Sequence, residues 1–138
     1  NGRTRGRDGC RVPLPWTRSG DSFGFGPEGG DAPWLPQPAS FGATSAEAQE
    51  DDPASTLALY RSALAIRSRE AALGDGTLTW VEVGPDALAF SREPGFGCWV
   101  NFGEAALPLP EGAEVLIASG ELVDGALPTD TAAWVRLA

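Results

Sequence analysis

The chain has 138 residues, enough for one ordinary domain and too few for a complete barrel enzyme, which needs about 250. All ten basic residues are Arg and His is absent, which excludes a Ser-His-Asp triad, a Cys-His pair or an imidazole metal site built from this chain alone. The net charge is −9, and so acidic a surface repels phosphate backbones and anionic headgroups, so neither nucleic acid nor membrane is an expected partner.

The charge is uneven along the chain. Five Arg fall in residues 1–18 against the single acid Asp8, while residues 75–138 carry ten acids against Arg92 and Arg136. Residues 1–56 are punctuated throughout by Gly and Pro, so no regular element runs far there. The same stretch holds Trp16, Phe23, Phe25, Trp34, Leu35 and Phe41, whereas disordered linkers are poor in aromatics. A long irregular segment with large apolar side chains is expected to drape over a scaffold, and the expectation is that this scaffold lies mostly outside the chain. Cys10 and Cys98 fit no CxxC pattern and read as free thiols of a reducing compartment, which makes the cytoplasm the expected location.

A helix is expected over residues 53–72, with Asp52 as N-cap, Pro53 at the first helical position and Gly74 as the stop. Leu57, Tyr60 and Leu64, widened by Leu59, Ala63 and Ile66, form its apolar face. Arg67 falls inside that face and is expected to meet a buried acid, with Glu47 as one candidate. From residue 77 the period changes to two. Strands are expected at 77–83, 87–92, 96–102, 113–119 and 131–137, separated by Gly, Pro and Asp turn signals. Connections this short favour antiparallel neighbours, giving a small sandwich or barrel of five or six strands.

The order of parts carries a resemblance. Arg7-Asp8-Gly9-Cys10-Arg11-Val12-Pro13-Leu14-Pro15-Trp16, then Pro33-Trp34-Leu35-Pro36, then Glu47-Ala48-Gln49, Asp52-Pro53, Ser55, Leu59-Tyr60-Arg61 and Ile66-Arg67 occur in sequence. This ordered set resembles the region after the last barrel strand of α-glucosidases and oligo-1,6-glucosidases of glycoside hydrolase family 13, the α-amylase superfamily. The Val-Pro-Leu-Pro-Trp version looks like the actinobacterial branch. The resemblance implies an α/β fold: residues 1–74 as the closing segment and final helix of a (β/α)8 TIM barrel, and residues 75–138 as the small all-β antiparallel C-terminal domain. It implies a parent enzyme that hydrolyses terminal α-linked glucose from oligosaccharides with retention, the α-glucoside being bound together with the barrel.

Retention requires two carboxylates about 5 Å apart, and the family carries them on barrel strands upstream of this region, so no catalytic residue is assigned here. By itself the chain is expected to be inactive. The Arg of the family's Arg-Asp pair reaches the sugar being released; Arg7 matches it, with Asp8 holding Arg7 or the loop and Arg11 at the pocket rim. Arg7, Asp8 and Arg11 are therefore the candidate substrate-binding residues, against the alternative of a surface ion-pair cluster. Arg3 and Arg5 have no such match. Packing on the barrel is favoured over sugar stacking for Trp16 and Trp34, and packing between the sheets or against the barrel over a sugar platform for Trp80, Trp99 and Trp134. No metal motif or cofactor motif is expected. The competing functional classes are a free-standing carbohydrate-binding β-module and a trehalose synthase or sucrose-active transglycosylase on the same scaffold.

Overall fold

In the computed structural model, which describes residues 6–138, the period-two pattern becomes an antiparallel sheet. Arg3 and Arg5 lie outside the described residues. Two units divide the chain, the first ending at Tyr60 and the second running Arg61–Ala138.

The second unit holds strands β1 (Leu78–Val81), β2 (Ala87–Arg92), β3 (Phe96–Asn101), β4 (Leu107–Pro108), β5 (Glu114–Ala118), β6 (Ala126–Leu127) and β7 (Thr131–Arg136). Five of them form one sheet in the order β1-β2-β3-β7-β5, all pairs antiparallel, with a register shift in β5 between Val115 and Ile117. The two-residue strands β4 and β6 pair separately, so the domain is two sheets and not one closed barrel. These short strands are additional to the five expected; Pro108 and Pro128 beside them read as turn punctuation, and Pro in a strand is confined to such margins.

Alternation gives the larger sheet two apolar faces. On one, Ala89, Trp99, Ala133, Val135 and Leu127 are buried, with Leu107 and Leu109 packed against them. The register explains the fit: Trp99 lies between Ala89 on β2 and Ala133 on β7, so a large indole meets two small neighbours. A side chain at Gly97 would strike the Trp99 ring, which fixes Gly there. Each buried Val or Leu in this layer contributes about 1.5–3 kcal/mol. Asn101, also on this face, is only 2% exposed. Its Nδ2 donates to the carbonyls of Ala105 (2.8 Å) and Leu127 (2.9 Å), and its Oδ1 accepts the Gly103 N–H (2.9 Å).

The other face buries Phe96 and Cys98 under Ala72, with Trp134 edge-on to Phe96 at 5.6 Å. Burial pushes the Cys98 thiol pKa up, and a hydrogen bond with Trp134 offsets part of that rise. Arg136 donates to Glu70 (2.6 Å) and to Glu114 (2.7 Å), and these hydrogen bonds, Glu70's first, raise its pKa further. Trp80 is not packed between the sheets: it is 64% exposed and touches Phe90 edge-on at 5.9 Å, because β1 is an outer strand with no neighbour beyond it among the described residues.

Two α-helices precede the sheet, α1 (Ala46–Gln49) and α2 (Thr56–Arg69). The expected cap at Asp52 is corrected to Ser55, whose Oγ accepts the Ala58 N–H at 3.1 Å. Asp52 instead closes a turn, its Oδ1 accepting the Ala54 N–H at 2.9 Å. The helix ends at Arg69 because Glu70 is extended (φ −82°, ψ 108°); a 3₁₀ turn over Ala71–Leu73 then leads to Gly74. Leu57, Leu59, Ala63 and Ile66 are half-buried, while Tyr60 and Leu64 are exposed. Arg67 is exposed as well, not buried with an acid, and Glu47 accepts the Arg18 N–H at 2.7 Å.

Candidate functional site

The first unit is built from turns tied to one another by hydrogen bonds. Asp8–Cys10 forms a single 3₁₀ turn, closed by the Arg11 N–H on the Asp8 carbonyl at 2.9 Å. The Arg7 carbonyl accepts both the Cys10 N–H and its thiol, at 3.1 and 3.2 Å. The segment then passes Pro13 and Pro15 without a regular element. The N–H groups of Trp16 and Thr17 converge on the Phe23 carbonyl at 2.8 and 3.0 Å. Between them the chain reverses through Ser22 and Phe23, both left-handed at φ 49°. Non-Gly residues adopt that conformation at a cost and hold it only where the surroundings fix it.

Helix α1 anchors the reversal. Ser45, fully buried, caps α1 by accepting the Ala48 N–H (3.2 Å) and donates to the Gly42 carbonyl (2.9 Å). The N–H groups of Ala46 and Glu47 donate to the carbonyls of Pro15 and Trp16. A side chain at Gly42 would collide with the Arg18 carbonyl, so the close approach there requires Gly.

These segments enclose an open groove of about 410 Å³, within the size range of small-ligand sites. Asp8, Arg11, Asp31, Ser22, Phe25 and Trp34 line it. Of the three sequence-derived candidates, Asp8 and Arg11 therefore share one groove, and Arg7 stands outside its lining as an exposed residue at the start of the 3₁₀ turn. Asp31 and Ser22 were not singled out from the sequence, and Phe25 was read only as one of the aromatics expected to drape over a scaffold. They stand apart from Asp8 and Arg11 along the chain, in a stretch marked by Gly, Pro and scattered aromatics.

Gln37 binds the groove's walls together. Its Nε2, half-buried, donates to the Pro13 carbonyl at 3.0 Å and to the Ser22 carbonyl at 3.1 Å. One carboxamide thus joins the Arg11 side, the Phe25 side and the Trp34 side. Among the described residues, no group of three His, Cys, Asp or Glu is placed to hold a metal ion, and no helix is long and apolar enough to cross a membrane.

No family model matches the chain. Over 91 residues, 66% of this chain, it is 40% identical to a probable alpha-glucosidase of Rhizobium meliloti (strain 1021), of which the match covers 16%. Among solved structures it is similar to trehalulose synthase MutB from crystals soaked with trehalulose: TM-score 0.75, 26% identity, over 95% of this chain and 26% of that one. It is also similar to the monoclinic form of trehalulose synthase MutB from Pseudomonas mesoacidophila MX-45: TM-score 0.74, 24% identity, over 94% of this chain and 26% of that one. The chain thus spans 16% of the curated relative and about a quarter of these structures. These similarities support a protein of glycoside hydrolase family 13, the α-amylase family. The small antiparallel β-domain matches the C-terminal part of such enzymes.

Proposed function

We propose that this chain is the C-terminal part of a retaining α-glucosidase that releases terminal glucose from α-linked oligosaccharides. The observation that carries the reading is the 40% identity over 91 residues to a probable alpha-glucosidase, joined to the ordered motifs from Arg7 to Arg67. In this reading residues 6–74 close a barrel whose strands supply the nucleophile and the acid/base, since glycoside cleavage with retention needs that carboxylate pair. The groove containing Asp8 and Arg11 then faces the substrate. Arg7, one residue away, contributes a guanidinium whose five donors suit sugar hydroxyls.

Expression of the longer polypeptide that includes the upstream sequence tests the reading. The expected result is glucose release from maltose or isomaltose, with the α-anomer appearing first by NMR. Inactivity on maltose, isomaltose and sucrose alike, or an upstream sequence lacking two Asp and one Glu on barrel strands, overturns it. A sucrose-isomerising or transglycosylating enzyme is the second reading, favoured by the likeness to trehalulose synthase. Product analysis separates the two: free glucose marks hydrolysis, and a new disaccharide marks transfer.

A further inference from the structure

We infer that the Trp34 indole is a stacking platform for a pyranose ring, with Asp31 and Arg11 beside it receiving that ring's hydroxyls. This deepens the function proposed above and rests on it for the choice of an α-glucoside as the ligand.

A pyranose presents two kinds of surface, a face of C–H bonds and a rim of hydroxyls. A site for it needs an aromatic plane and, next to that plane, charged groups that accept and donate hydrogen bonds. The groove supplies both: Trp34 and Phe25 give the apolar wall, Asp8 and Asp31 the acceptors, and Arg11 a fork of donors.

The setting of Trp34 supports the assignment. Its side chain is 96% exposed, whereas Pro33 and Leu35 on either side are half-buried. The neighbours hold the backbone while, among the described residues, the indole is left uncovered at the groove. Pro33, Pro36 and Pro38 fix φ along this stretch, so little conformational freedom is left to lose on binding. Gln37 sits between two of these prolines and locks the opposite walls in place. Ser22, one of the left-handed pair, lines the groove, and backbone held at such cost is commonly found at ligand sites.

The test is titration of the lengthened polypeptide, with its barrel nucleophile replaced so that sugar is not consumed, with maltose or sucrose, following the tryptophan indole N–H signals by NMR. One signal, the one missing in Trp34→Ala, moves saturably at millimolar sugar, and the signals of Trp80 and Trp99 stay in place. Trp34→Ala abolishes the saturable shift with an unchanged far-UV spectrum. Trp34→Phe retains it with an affinity loss of roughly two- to tenfold, the scale of one aromatic contact. Gln37→Ala weakens it as the walls loosen. A shift confined to Trp80, or no indole shift at any sugar concentration reached, overturns the inference and makes Trp34 a packing anchor. Because no catalysis is read, a lengthened polypeptide that hydrolyses maltose with its nucleophile intact, while Trp34 stays silent in the titration, defeats this inference alone. A lengthened polypeptide inactive on all three disaccharides defeats the proposed function instead.

Discussion

The two units of the chain hold their shape by different means. The second buries Phe96, Trp99, Leu127 and Val135 on the two faces of one sheet, and its polar ties finish what packing begins. In the first, the buried residues among those described are Gly42, Ser45 and Ser55, while Leu14, Trp16, Phe25 and Trp34 are each more than half exposed. Its shape rests on converging backbone bonds, on Gln37 and Glu47, whose side chains join segments distant in sequence, and on Ser45, which ties the Gly42 turn to α1. The contrast separates two jobs. A hydrophobic layer makes a stable platform, whereas a polar-braced loop can hold an aromatic and several charges at the rim of a groove.

The contrast can be attacked first where the expected effect is largest. Phe96→Ala should cost about 3–5 kcal/mol through lost burial and the resulting void. Phe25→Ala, at a side chain 57% exposed, should stay within about 0.5 kcal/mol. Urea unfolding of both variants checks this, and near-equal costs would erase the distinction between packed and braced units. Next, Ser45→Ala removes the α1 cap and should cost about 0.5–2 kcal/mol. Its signature is local: hydrogen exchange quickens over residues 39–49 and the strands are unaffected. Slowed or unchanged exchange there would mean the brace lies elsewhere.

The smallest effect concerns pH. Burial raises the Cys98 thiol above its ordinary value of 9.0, so the unfolded chain gives up this proton more readily than the folded one. The stabilising contribution is complete below 9.0 and is lost as pH climbs through the raised folded value, with a slope of at most about 1.4 kcal/mol per pH unit. Cys98→Ala should remove that alkaline slope. A stability gap between the two proteins that stays constant with pH would sink the assignment.

Much of the sheet was legible because its signal is local. In β2 the alternation of Leu88 and Phe90 with Ala87 and Ala89 ends at turn residues on both sides, and the strand observed is the strand expected. The helix start was less legible: Asp52 and Ser55 are both good caps, and only the turn preceding Thr56 decides between them. Trp80 and Trp99 look alike in sequence; their different burial depends on strand order, which places β1 outermost and β3 centrally. The groove was half legible. Asp8 and Arg11 follow from a motif, but Asp31 and Phe25 reach it through a chain reversal at Ser22 and Phe23; Gly20 and Gly24 on either side signal a turn there without saying which side chains it brings together. Gln37 carried no signal, since its importance is the meeting of two carbonyls far from it in sequence.

The irregularity in β5 reaches beyond this chain's own folding. An extended segment from another molecule that approached the outside of β5 would look for amides and carbonyls at an even spacing. Between Val115 and Ile117 that spacing is broken, and a charged Glu114 stands at the near end. Recruitment of a foreign strand is thereby frustrated where the sheet would otherwise be open to fibril growth. On the opposite flank only the four residues of β1 are on offer, too short a template to sustain it.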